Sequence, residues 1–153
     1  MGDMLVSNDV SVQLVTYSLG SCVGIAIYDP NAKVGGLLHA MLPDSTINPD
    51  RAASRPYMFV DTGLPAMFHA VYALGGSKLR MAVKFCGGAQ FLDEKKIFKI
   101  GARNVTATIA MLARNGVKII ASETGGHESR TMRMDLANGN VTLDIPGKNV
   151  YSL

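Results

Sequence analysis

Two side chains in the first third of this chain have the types needed for covalent thiol chemistry. Cys22 lies in the run Leu19-Gly20-Ser21-Cys22-Val23-Gly24, and seventeen residues later His39 stands between Leu38 and Ala40. A thiol becomes a nucleophile when a neighbouring imidazole takes its proton, and the same imidazole then serves a leaving amine. Thr16 offers a hydroxyl or carbonyl that would orient the ring, the third role in such a constellation. Gly20, Ser21 and Gly24 remove bulk around the thiol, leaving room for a substrate group. They also leave room for backbone N–H donors, that of Cys22 included, which would hold an oxyanion. By type alone, a free cysteine is more often packed in a core and a lone histidine more often structural. The small residues shift this reading toward chemistry without deciding it.

Neighbouring strands must deliver the pair. Val10 to Val15 alternates apolar with polar residues and predicts a half-buried strand; Leu19-Gly20-Ser21 breaks it. Val23–Tyr28 reads as a more deeply buried strand, Asp29-Pro30-Asn31 as a turn, and Gly36–Leu42 as a third strand. Hairpin pairing of the last two would bring their residues close, but it does not fix the Cys22–His39 distance, because register is not legible from pattern.

Residues 44–56, with Pro49 and Pro56, read as an irregular loop. Asp61 or Thr62 would cap a helix to about Leu74, with Leu64, Met67, Phe68, Val71 and Leu74 on its apolar face and Pro65 in its first turn. Gly75-Gly76 ends it. Leu79–Phe85 alternates as a strand, and a polar, lysine-rich segment follows Ala89. A second helix is predicted from Gly101 to Arg114, with Val105, Ile109, Leu112 and Ala113 inward. Val117–Ala121 reads as a strand and 124–127 as a flexible loop. Thr131–Leu136 and Val141–Ile145 form a hairpin about Asn138-Gly139. About seven strands and two helices, with strands at both ends, predict a single α+β domain of mixed or antiparallel sheet.

Composition narrows the function classes. The 153 residues are 48% hydrophobic and 18% charged, enough for a core without metal or disulfide support, and the nine methionines read as core filler. A net charge of +3 and one small basic cluster, Lys95, Lys96 and Lys99, make nucleic-acid binding a weak reading. No apolar run approaches the roughly 18 residues of a membrane span. The N-terminal residues lack a signal-peptide pattern, so free thiols in a reducing cytoplasm are expected.

Other candidates are weaker. Cys86 follows an alternating apolar strand and reads as a packed thiol. Gly87-Gly88 and Gly125-Gly126 would let backbone approach a substrate, or simply make turns. His39, His69 and His127 are too scattered to nominate a metal site, and no dinucleotide or phosphate-loop motif is present.

Several spaced motifs carry a resemblance to a known family. They are Thr16 with Leu19-Gly20-Ser21-Cys22-Val23, Gly36 with His39-Ala40-Met41-Leu42-Pro43, Lys84 with Gly87-Gly88-Ala89, Ile100-Gly101 with Arg103-Asn104, and Gly125-Gly126 with Arg130. Together they resemble the CheD chemoreceptor glutamine deamidases of bacterial chemotaxis. The resemblance implies an α+β fold of sheet layers flanked by helices, with Cys22 as nucleophile, His39 as general base and acid, and Thr16 orienting the histidine. A substrate pocket about Gly20, Ser21, Gly87 and Gly88 is expected with it, in an open site bordered by the loops 44–56 and 124–128 that admits a residue projecting from a receptor helix. It implies conversion of receptor glutamine side chains to glutamate through a thioester, with glutamyl methyl ester hydrolysis open to the same site, and no cofactor or metal. The implied partners are methyl-accepting chemoreceptors and the CheC phosphatase, with neither nucleic acid nor direct membrane insertion. A mainly non-catalytic adaptor for CheC or receptors, and another thiol acyl-transfer enzyme, are the competing readings.

Overall fold

A computed structural model describes residues 1–90 and 99–153. The lysine-rich stretch read after Ala89 falls largely outside them, Lys95 and Lys96 included. Nine strands run through the described residues: β1 (Asp3–Ser7), β2 (Gln13–Leu19), β3 (Val23–Asp29), β4 (Val34–Ala40), β5 (Ala82–Gly87), β6 (Ile119–Thr124), β7 (Arg130–Asp135), β8 (Val141–Asp144) and β9 (Tyr151–Ser152). Three α-helices accompany them: α1 (Pro49–Ser54), α2 (Val60–Ala73) and α3 (Ile100–Arg114).

The strands form two sheets. One has the order β1-β4-β3-β5-β6, antiparallel except for the β5–β6 pair; the other, β2-β7-β8-β9, is wholly antiparallel. This is the expected α+β class with mixed and antiparallel sheets. The strands β3 and β4 are buried along their whole length, and period-two alternation divides their side chains between two cores. Val23, Ile25 and Ile27 join Leu38, Ala40 and Phe85 in a core with Leu64, Met67 and Val71 of α2 and Leu112 of α3. Cys22, Ala26 and Tyr28 join Leu37 and Cys86 in a second core with Leu14, Leu19, Met132, Met134 and Leu143. The layers are therefore helices, five-stranded sheet, four-stranded sheet.

Several sequence expectations change. The stretch 44–56 is ordered into short helical turns and α1. Pro49 sits in the first turn of α1, where a missing N–H costs nothing, and Asn48 caps it by accepting from Arg51 N at 3.0 Å. Neither Asp61 nor Thr62 caps α2, which begins earlier, at Val60; Asp61 instead accepts from the Ser45 amide and hydroxyl, at 3.0 and 2.6 Å. That earlier start places Pro65 beyond the first turn, and Leu74 lies exposed past the last residue of α2.

The face of α3 differs most. Gly101, Asn104, Thr108 and Leu112 are the buried residues, whereas Val105 is half-buried and Ile109 and Ala113 are exposed. Close packing explains this: a Cβ on Gly101 would lie 2.5 Å from the Gly88 carbonyl oxygen and 2.6 Å from that of Ala89. The helix thus turns its smallest residue to the sheet, and the face that follows is partly polar. The strand read over Leu79–Phe85 begins only at Ala82, after a 3-10 turn over Lys78–Arg80. Strands β1 and β9, at the outer ends of their sheets, were not expected from the sequence. The loop 124–127 is held in place by Arg130, whose guanidinium donates to the Gly125 carbonyl at 2.8 Å and to Glu123 Oε1 at 3.0 Å.

Candidate active site

Register settles the relation of Cys22 to His39. Gly24 pairs directly with His39 in the antiparallel β3–β4 ladder, which ends one step further on at Val23 and Ala40. Directly paired residues share a face, and so do residues two apart along a strand. Cys22 stands one residue beyond the last pair and packs in the core between the sheets. Its side chain and that of His39 are consequently on the same side of the five-stranded sheet, diagonal neighbours. Such diagonal positions are separated by about 7–8 Å between backbones, with the side chains closer.

The facing sheet supplies the third group. Leu14 and Thr16 of β2 are buried by alternation, and a bulge between Thr16 and Leu19, with Ser18 at φ 57, then turns Leu19 inward as well. Leu19 fills the space a side chain on Gly24 would need, since a Cβ there would lie 2.6 Å from Leu19 Cδ1. Thr16 Oγ1 meets His39 Nδ1 at 2.7 Å, a short hydrogen bond between two buried side chains on opposite sheets. The other ring nitrogen, Nε2, is buried and has no hydrogen-bond partner among the described residues. Thr16 and His39 open onto a cleft of about 280 Å³, bordered by Asp3 and Leu5 of β1 and by Tyr17 and Ser18. Cys22, 8% exposed, is not on the wall of that cleft. Neither 44–56 nor 124–128 borders it; Thr124–His127 lines a separate cleft with Gly88 and Gln90.

Burial sets the protonation states. It pushes the Cys22 thiol up, an effect held back by the residue's own backbone N–H beside the sulfur. It also pulls His39 down to about 4. Around neutral pH the environment favours a neutral thiol and a neutral imidazole. A preformed thiolate–imidazolium pair is not what this dry setting favours. Cys86, opposite Gly24 on β5, is wholly buried and pushed up to about 12, as befits a packed thiol.

The glycines of the expected pocket serve the backbone of the cysteine. Gly88 N donates to the Cys22 carbonyl at 2.8 Å, and Ala89 N to that of Gly20 at 2.8 Å. Gly87, at φ +113, approaches so closely that a Cβ would lie 2.2 Å from the Cys22 carbonyl oxygen. These contacts fix the cysteine turn from behind. Ser21 is half-buried, and its carbonyl accepts from Asn104 Nδ2 at 2.9 Å. Asn104 is a residue that motif reasoning left without a role. Its signal was the small and polar stripe Gly101, Asn104, Thr108, which a search for apolar periodicity passes over. Among the described residues no cluster of three or more His, Cys, Asp or Glu side chains is placed to hold a metal ion.

Fold and site together define an α+β protein that gathers a cysteine, a histidine and a threonine where two sheets meet. The family model for CheD chemotactic sensory transduction matches residues 41–145. A probable chemoreceptor glutamine deamidase CheD 1 of Syntrophus aciditrophicus is 47% identical over 147 residues, 96% of this chain and 92% of the relative. Proteins named probable chemoreceptor glutamine deamidase CheD from Desulforamulus reducens and Pyrococcus abyssi are 48% and 42% identical. They cover 88% and 94% of this chain, and 82% and 87% of their own lengths. This chain belongs to the CheD family.

Proposed function

We propose that this chain is a chemoreceptor glutamine deamidase in which Cys22 is the nucleophile, His39 the general base and acid, and Thr16 the residue that orients the ring. The observation that carries the reading is the Thr16–His39 hydrogen bond at 2.7 Å, which leaves a buried Nε2 unpartnered on the face that also bears Cys22. With Nδ1–H donating to Thr16 Oγ1, the Nε2 lone pair is left free to accept the thiol proton once the two close to hydrogen-bond distance. The names of the relatives supply the substrate: a glutamine side chain of a chemoreceptor.

In the first half-reaction Cys22 Sγ attacks the carboxamide carbon while His39 Nε2 accepts the thiol proton. The backbone N–H of Cys22 would stabilise the oxyanion. Collapse breaks the carbon–nitrogen bond as His39 returns the proton to nitrogen, so ammonia leaves and a thioester remains. Water, deprotonated by His39, then attacks the thioester; glutamate departs and the thiol is restored. A glutamyl methyl ester would follow the same course with methanol as leaving group. The cleft beside His39, with Leu5 and Tyr17 45% and 61% exposed, offers a receptor helix apolar contact on the histidine side of the site.

Chemoreceptors are the substrates in this reading, and CheC is a second partner, proposed on the family resemblance. No described helix is long and apolar enough to cross a membrane, and a cytoplasmic site of action accords with receptor segments as substrate. Mass spectrometry of a glutamine-bearing chemoreceptor fragment tests the reading, with wild type, Cys22→Ala and Cys86→Ala compared. Replacement of the amide by acid should be abolished in Cys22→Ala and retained in Cys86→Ala. Equal conversion by wild type and Cys22→Ala would refute it.

A further inference from the structure

The β3–β4 ladder stops at the pair Val23–Ala40, between the two residues assigned to the chemistry. Cys22 lies just outside that pair and His39 just inside it, so their separation depends on how firmly the open end of the ladder is held. The backbone pairing of the two strands supplies no rung beyond that point. A side chain from another layer does. Asn104 of α3 is completely buried, and its Nδ2 donates to the carbonyl of Ser21 at 2.9 Å and to that of Met41 at 3.0 Å. One amide group thus bridges the residue before the cysteine and the second residue after the histidine.

Both partners are acceptors, so the nitrogen and not the oxygen of the carboxamide must face them. Its two hydrogens are both used, one on each strand. The Oδ1 atom is buried with no hydrogen-bond partner among the described residues. A buried acceptor left unsatisfied calls for a reason, and the two donors provide it. The surrounding helix is arranged to bring this short side chain within reach. Gly101, one turn earlier, seats α3 against the Gly88 and Ala89 carbonyls. Thr108, one turn later, donates its hydroxyl to the Asn104 carbonyl at 2.9 Å.

We propose that Asn104 is a positioning residue for the cysteine–histidine pair, its carboxamide replacing the missing rung that holds the Cys22 end of one strand against the His39 end of the next. The inference rests on the reading of Cys22 and His39 as the reacting pair. An aspartate at 104 would set a carboxylate against two carbonyls, and a leucine would leave both carbonyls unpaired, so only a side chain with two hydrogens on one atom at this length meets the need.

Steady-state deamidation of a purified chemoreceptor fragment tests it, comparing Asn104→Ala, Asn104→Ser and Leu112→Ala with wild type well below their melting temperatures. Leu112, on the same helix and buried in the core away from the two carbonyls, reports the effect of lost packing alone. For Asn104→Ala, kcat should fall at least about tenfold with KM within about twofold, the pattern of lost alignment and not of lost binding. Leu112→Ala should keep kcat within about twofold even if it melts lower. Asn104→Ser, which keeps one hydroxyl donor, should fall between the alanine variant and wild type, and it carries the test if Asn104→Ala does not fold. Unchanged kcat in the Asn104 variants, or an equal fall in Leu112→Ala, would overturn the positioning role. Should Cys22→Ala itself remain active, the site assignment would fall instead. An inactive Cys22→Ala beside fully active Asn104 variants would sink the positioning role alone.

Discussion

Gly87→Ala puts the backing of the cysteine turn to a quantitative test. Gly87 sits at φ +113, a conformation that side-chain-bearing residues rarely adopt, and its missing Cβ position is 2.2 Å from the Cys22 carbonyl oxygen and 3.1 Å from Val23 Cα. Both neighbours are backbone, so no flexible side chain can step aside. To restore ordinary contact the carbonyl must retreat by about 1 Å, given that normal Cβ contacts begin near 3.4 Å. Backbone strain costs about 1–3 kcal/mol, and the overlap a similar amount. Losing the Gly88 N–H bond to the same carbonyl adds about 1 kcal/mol.

The total, on the order of 5 kcal/mol, lowers the melting temperature by roughly 10–20 °C for a chain of this size. With Cys22 as the proposed nucleophile, a 1 Å shift of its backbone should cost about 10²-fold in kcat. Circular dichroism melts and ammonia release from a chemoreceptor fragment measure the two effects. Gly75→Ala is the control: Gly75 has φ +92, but nothing lies within 4 Å of its Cβ position. It should therefore lose about 1 kcal/mol from conformation alone and keep full kcat. If Gly87→Ala behaved like Gly75→Ala in both assays, the claim that Gly87 holds the cysteine turn would be wrong.

The orienting bond and the buried imidazole yield further tests. Thr16→Val keeps the shape but removes the hydroxyl, leaving His39 Nδ1 buried and unpaired at a cost of about 1–3 kcal/mol. Because the ring loses its orientation, kcat should drop about 10²-fold, and Thr16→Ser should restore most of it; a Thr16→Val enzyme with normal kcat would remove threonine from the site. Burial lowers His39 from 6.5 to about 4, so the unfolded chain binds the extra proton first as pH falls. The contribution of His39 is constant above pH 6.5 and is lost as pH drops from about 6.5 toward 4. The loss is on the order of 3 kcal/mol. Denaturant unfolding of wild type and His39→Gln across this range should show a steeper slope for wild type. Equal slopes would mean that His39 is not buried as described.

Much of the fold could be read directly from the chain. The strands around Cys22 and His39, the turn at Asp29-Pro30-Asn31, the core face of α2 up to Val71 and the Asn138-Gly139 hairpin all rest on local signals, and they appear where those signals lie. The short edge strands β1 and β9 lacked enough alternation to stand out. On α3 the sequence places Leu112 correctly inward, but the rest of the buried face is hidden because it consists of glycine, asparagine and threonine. Their inward position answers to backbone carbonyls of distant strands, not to an apolar stripe. Prolines 49 and 56 masked α1, since proline signals a break except in a first turn, where it is tolerated.

By itself the sequence determined the cast: a cysteine among small residues, a histidine on the next strand, a threonine just upstream, and glycines at 87 and 88. Those are properties of residue type and short spacing. What depended on tertiary structure was whether they meet. The β3–β4 register puts Cys22 and His39 on one face, and a one-residue slip would have sent the histidine into the helix-side core. The second sheet, packed across that face, brings Thr16 to His39 from 23 residues away. Burial between the layers then leaves both the thiol and the imidazole uncharged. None of this is encoded in a local window, because register and layer packing are set by contacts between segments far apart in the chain.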